Sequence, residues 1–159
     1  MSIELTVQEK RDYCVCSVLQ AVFRKHGLEI SQEEIAGNLT HGEERGFKID
    51  DKRIREFFLR NGFIYTPFGE DETPFNEPDG LLKEMQKHDG IIGIENHVYL
   101  LETFQDPRVM LIDPKDGQEV EKNYYQLLRE MKNGGFFGLI INLYGGKDAN
   151  IITKSSGVQ

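Results

Sequence analysis

The chain has 159 residues, 38% hydrophobic and 29% charged. That describes one globular domain and excludes a disordered polymer. With 19 Lys and Arg against 27 Asp and Glu, the net charge is −8; an acidic chain repels phosphate backbones, which weighs against general nucleic-acid binding, and the sequence contains no local basic patch.

No apolar run approaches the ~18 residues that a membrane span needs, and the N-terminus has no apolar stretch of signal-peptide type. Cys14 and Cys16 are the only cysteines. They are too few for a disulfide scaffold, a zinc ribbon or an iron–sulfur cluster, and they suit a reducing compartment. The expectation is a cytoplasmic protein, or a fragment of something larger.

The first strong periodic segment follows Cys14. Val15, Val18, Leu19, Val22 and Phe23 define one apolar helical face, Gly27 ends the helix, and Asp12 is its expected N-cap. Ser31 and Glu34 form a capping-box pattern for a second helix, with Ile30 and Ile35 as a hydrophobic staple and Asn38-Leu39 at its close. A glycine-containing charged loop, 41–46, leads to a third helix starting near Asp50 or Asp51. It buries Ile54, Phe57 and Phe58 and stops at Asn61-Gly62. Residues 63–66 read as a short strand.

Residues 67–79 carry three prolines and five acidic side chains without Lys or Arg, and predict the most mobile segment. A fourth helix is expected over 80–87. The character then changes to strands. Residues 90–94 form a short apolar run, and 97–104 and 109–113 form two strands joined by the turn residues 105–108. Residues 114–117 make another turn. Asn123 caps a short helix with Tyr124, Leu127, Leu128 and Met131 inward, ended by Asn133-Gly134-Gly135, and 136–144 is the last strand. The domain is expected over 1–144, with 145–159 as a flexible tail. Helices in the first half and antiparallel strands in the second predict an α+β fold.

Four side chains could carry chemistry. Cys14 opens a helix, where the positive end of the dipole favours a thiolate, the nucleophilic form. Cys16 lies about 200° further round that helix, off its apolar face, and is the weaker candidate. Gln8 stands six residues before Cys14, placed to donate to an oxyanion alongside the Cys14 N–H. His97 enters an apolar strand as a candidate general base. Asp113 ends the next strand, and a hairpin would bring it beside His97 to orient the imidazole. Each has an ordinary structural reading alone: a buried thiol, a surface amide, a structural histidine, an Asp-Pro turn. His26, His41 and His88 have structural positions, no metal-ligand spacing occurs, and Gly42-x3-Gly46 is too sparse for a phosphate loop. No cofactor or metal is expected.

Together the four occur in the order Gln, Cys, His, Asp, which is the order of papain-type cysteine peptidases. The chain resembles the bacteriocin-processing peptidases, papain-like enzymes that trim double-glycine leader peptides, over roughly residues 7–144. The resemblance rests on Gln8-x5-Cys14 opening the long helix, on the second helix after the His26-Gly27-Leu28-Glu29-Ile30-Ser31 link, and on the third after a glycine-containing loop. It rests also on His97 at the start of an apolar strand and on Ile112-Asp113-Pro114-x-x-Gly117. It implies a papain-like fold, with an N-terminal helical lobe packed against a C-terminal antiparallel sheet. It further implies Cys14 as nucleophile, His97 as general base, Asp113 as orienting group, Gln8 as oxyanion donor, and a peptide or protein substrate. The chain departs from the family around the nucleophile. Asp12 is one residue early, Tyr13 intervenes, Val15 stands where a glycine is usual, and Val98 where an aromatic often follows the histidine. The ABC transporter that often follows such a domain has no room here, so a stand-alone relative is expected. Two other readings are a catalytically inactive peptide-binding module of the same fold, and an acyltransferase or deamidase using the same residues.

Overall fold

The computed structural model describes residues 4–39, 51–69, 72, 74–94 and 97–144. The 41–46 loop and the expected tail, 145–159, lie outside the described residues. Three helices come first: α1 (Cys14–Lys25), α2 (Gln32–Leu39) and α3 (Asp51–Arg60). Strand β1 (Phe63–Gly69) and helix α4 (Pro78–Glu84) follow. The rest runs β2 (Asp89–Ile94), β3 (His97–Gln105), β4 (Arg108–Ile112), β5 (Glu119–Asn123), α5 (Tyr124–Gly134) and β6 (Phe136–Leu143).

The six strands form one antiparallel sheet in the order β1-β6-β2-β3-β4-β5. The fold is α+β, as expected. Its middle strands are apolar on both sides. Ile91, Leu139 and Ile141 pack with α1, α2 and α3, while Ile92 and Ile140 pack with α4 and α5. This period-two alternation covers both faces of the sheet with helices. The helical N-terminal half therefore packs against one face, and the two later helices cover the other.

The local signals act as their chemistry requires. The Ser31 hydroxyl accepts from the Glu34 N–H at 3.0 Å, and Ile30 and Ile35 are both buried. Asn123 accepts from the Tyr125 and Gln126 N–H groups and caps α5. Tyr124, Leu127 and Met131 are buried beneath it; Leu128 is only partly so. Gly62 and Gly135 take positive φ at the ends of α3 and α5, conformations that cost glycine little.

Several expectations are corrected. Asp12 does not cap α1: Tyr13 holds the N-cap position, with no side-chain hydrogen bond to the first turn. Helix α1 does not bury a single face, since every residue from Val15 to Phe23 is buried. Strand β1 continues through Pro67 to Gly69. It is an edge strand, where a proline leaves no ladder bond unmade. Helix α4 begins earlier than expected, with Pro78 in its first turn, where a missing N–H is harmless. Strand β5 lies where the sequence pattern predicts no strand.

Candidate active site

Cys14 is the first residue of α1, and its thiol is half-buried. The N–H groups at the start of a helix have no partner within it. Here the Cys14 and Val15 N–H groups face the sulfur, and the Val98 N–H from the start of β3 faces it from the sheet. Burial nevertheless dominates. It pushes the Cys14 thiol above its ordinary range, the Asp113 charge adds to the rise, and the three amides oppose it only in part. The helix dipole alone predicts a favoured thiolate. In the folded chain desolvation outweighs the dipole.

His97 opens β3, directly before Val98. Its Nε2 lies 2.6 Å from Asp113 Oδ1. The hairpin accounts for the meeting: β3 and β4 are antiparallel, so the start of one and the residue after the other share an edge. A tight turn holds the carboxylate in place. Asp113 Oδ1 also accepts from the Lys115 N–H at 2.9 Å, and the Asp113 carbonyl accepts from Gly117 at 2.7 Å. The Tyr99 ring stands edge-on to the imidazole at 4.8 Å, as residues two apart on a strand share a face.

Gln8 belongs to an extended segment that crosses this turn. Its N–H donates to the Pro114 carbonyl at 2.8 Å, which sets Gln8 beside Asp113. Its side-chain amide is turned inward on the 9–13 loop. Nε2 donates to the Lys10 and Arg11 carbonyls at 3.0 and 2.8 Å, and Oε1 is buried without a partner. Flipping the amide would set its oxygen against two carbonyl oxygens, so this orientation is fixed by chemistry.

The structure thus brings His97 and Asp113 into direct contact, sets Cys14 at the Val98 N–H, and brings the Gln8 backbone to the same turn. Cys16 is fully buried in the core, and burial raises its thiol to about 12, which removes it as a nucleophile. It is not off the packed face, because α1 has no exposed face at its level. Among the other histidines, His26 bonds Asp89 at 2.7 Å beside Lys25, tying the end of α1 to β2. His41 lies outside the described residues.

Sequence reasoning missed the Val98 N–H, a backbone group that carries no residue signal. It missed Tyr99, whose only signal was its place two residues after His97. It also missed Gln32, an amide that reads as ordinary helix surface but is fully buried.

As a sequence, the chain matches no family model and no curated protein. As a structure, it is similar to a double glycine motif protease from an AMS/PCAT transporter, solved in complex with the leader peptide. The TM-score is 0.65 at 16% identity, covering 89% of this chain and 91% of that one. It is equally similar to the peptidase domain of Streptococcus ComA, a bifunctional ABC transporter of a quorum-sensing pathway. There the TM-score is 0.65 at 13% identity, covering 89% of this chain and 98% of that one. The fold is that of a double-glycine peptidase domain. At such identities the likeness concerns the fold alone. No helix among the described residues is long and apolar enough to cross a membrane.

Proposed function

We propose that the chain is a cysteine peptidase-like hydrolase in which Cys14, His97 and Asp113 act as a triad. The observation that carries this reading is the 2.6 Å pair of His97 Nε2 and Asp113 Oδ1, seated one residue from the Val98 N–H that faces the Cys14 sulfur. With Nε2–H donated to the carboxylate, Nδ1 keeps its lone pair and is the ring nitrogen free to take a proton.

The raised Cys14 thiol favours general-base catalysis over a preformed ion pair. His97 takes the Sγ proton as sulfur attacks the peptide carbonyl. The S–C bond forms and the π electrons move to oxygen. The oxyanion accepts from the Cys14 N–H and from Gln8 Nε2, which exchanges a neutral carbonyl for a charged acceptor. Hydrogen bonds to an ionised acceptor are roughly twice as strong, which drives the exchange. The amine leaves with the proton held by His97. Water then cleaves the thioester, returning a proton to sulfur by way of His97.

A peptide with a double-glycine cleavage site is the substrate class that the structural neighbours suggest, one of them having been solved with a leader peptide bound. Two unpaired thiols suit a reducing compartment, and we assign the protein to the cytoplasm. The test is hydrolysis of a fluorogenic peptide ending in Gly-Gly. Wild-type turnover that disappears in Cys14→Ala and in His97→Ala supports the triad; turnover that survives either refutes it.

Two observations favour a second reading, an inactive peptide-binding module. The thiol is raised, and both Gln8 donors are engaged on the 9–13 loop. That reading predicts that the same peptide binds without being cleaved and that Cys14→Ser leaves binding unchanged.

A further inference from the structure

Gln32 is the first residue of α2 and is fully buried. A glutamine amide carries two donors and an acceptor, and burying it unpaired is costly. Its partners explain its place. Oε1 accepts from the Glu9 N–H at 2.8 Å. Nε2 reaches the Val7 carbonyl at 3.1 Å, the Thr6 carbonyl at 3.2 Å and Gln20 Oε1 at 3.0 Å. Gln20 in turn donates to the Ile30 carbonyl at 3.0 Å, which anchors the amide chain between α1 and the entry to α2.

The contacts flank one residue. In an extended chain, the carbonyl before a residue and the N–H after it point to one edge, while that residue's own N–H points to the other. At Gln8 the carbonyl of Val7 and the N–H of Glu9 both meet Gln32, and the N–H of Gln8 meets Pro114. Residues 4–8 lie outside any helix or strand. The Gln32 carboxamide therefore does what a neighbouring strand would do. It supplies one donor and one acceptor to one edge of Gln8, while the Asp113-Pro114 turn holds the other. The Ser17 hydroxyl, donating to the same Thr6 carbonyl at 2.6 Å, holds the segment from α1 as well.

We infer that Gln32 is a positioning residue: its buried amide clamps the backbone on both sides of Gln8 and so fixes where the Gln8 amide can reach an oxyanion at Cys14. The inference rests on the peptidase reading. An isosteric apolar substitution, Gln32→Met, releases the clamp without opening a large cavity. Alkylation of Cys14 by iodoacetamide passes through no oxyanion, so its rate and pH profile remain as in the wild type. Turnover of the Gly-Gly fluorogenic peptide depends on the oxyanion, and a misplacement of about 1 Å lowers kcat about 10²-fold, with KM little changed.

Gln32→Glu supplies a second test. A buried carboxyl group is held protonated to higher pH. Protonated, it can still accept from Glu9 and donate to Val7; ionised, it can only accept. Its kcat therefore approaches the wild-type value at low pH and falls about tenfold or more through an added alkaline limb that the wild type lacks.

An unchanged kcat in Gln32→Met overturns the inference. So does a loss of Cys14 alkylation in step with kcat, which would mark a general structural role. A wild-type pH profile in Gln32→Glu also overturns it. A wild type that alkylates but never cleaves the peptide refutes the peptidase reading itself, and the positioning role with it. That outcome differs from wild-type turnover paired with an unaffected Gln32→Met, which removes the positioning role alone.

Discussion

His97 Nε2 and Asp113 Oδ1 stand 2.6 Å apart at the open edge of the β3–β4 hairpin, with the carboxylate held from behind by the Lys115 N–H. Asp113 thus has two opposed effects. It hydrogen-bonds the imidazole, and its charge disfavours a thiolate at Cys14. Asp113→Asn keeps an oxygen acceptor and removes the charge. The Cys14 alkylation profile should then move to lower pH, while kcat falls about 10-fold or more because the imidazolium formed in the transition state loses its counter-charge. Iodoacetamide labelling against pH, set beside peptide turnover, reads both. A profile moving to higher pH would show that Asp113 acts on the thiol in some other way.

Burial sets the resting state of the Cys14 thiol. The half-buried Cys14 thiol is raised above its ordinary range, so its reactive fraction at neutral pH is below that of an exposed cysteine. Alkylation of the free protein should therefore be slow near pH 7 and rise on the alkaline side, with peptide mapping to separate Cys14 from the inert Cys16. Fast labelling at pH 5–6 that is lost in His97→Ala would instead mean a preformed thiolate–imidazolium pair.

Much of this site was legible because its parts are local patterns. The long helix opening at Cys14, the Ser31 cap and the apolar runs of β2 and β6 follow from periodicity and capping chemistry. The His97–Asp113 meeting follows from an antiparallel hairpin with a short turn. What could not be read depends on groups far apart in sequence. Strand β5 has the alternation Glu119-Val120-Glu121-Lys122, with one apolar residue, and is a strand because β4 supplies its ladder. Ser17 and Gln20 look like the wet side of α1, yet they bond carbonyls of Thr6 and Ile30 and are buried. The helix dipole at Cys14 does favour the thiolate, but burial of the thiol, which no local pattern reveals, outweighs it.

Gly93 ties the site to the sheet. It pairs with Val98 on one side and Phe137 on the other, and the Phe137 ring lies across its Cα. A methyl group at Gly93 would overlap that ring, so Gly93→Ala must displace Phe137 or move β2. Overpacking of this kind costs about 1–3 kcal/mol. A lower Tm is expected, accompanied by slower turnover because Val98, which faces Cys14, is the cross-strand neighbour. Gly93→Ala paired with Phe137→Leu should recover much of the stability. A neutral Gly93→Ala would mean that the ring yields freely.

Cys16 makes the fold sensitive to alkali. Its thiol is fully buried and raised to about 12, chiefly by desolvation, with the charges of Cys14 and Asp12 adding to it. In the unfolded chain a thiol titrates near ~8.5. Below that value both states hold the proton and stability is independent of this group. Above it the unfolded state loses the proton first and binds fewer protons than the native state, so stability falls as pH rises. The slope approaches about 1.4 kcal/mol per pH unit until the native thiol ionises as well. Tyrosines and lysines titrate in the same window, so the comparison that isolates Cys16 is urea unfolding of wild type and Cys16→Ala from pH 8 to 11. The variant loses some packing at every pH, but its stability should decline less steeply. Parallel curves would show that Cys16 is not desolvated in the native state.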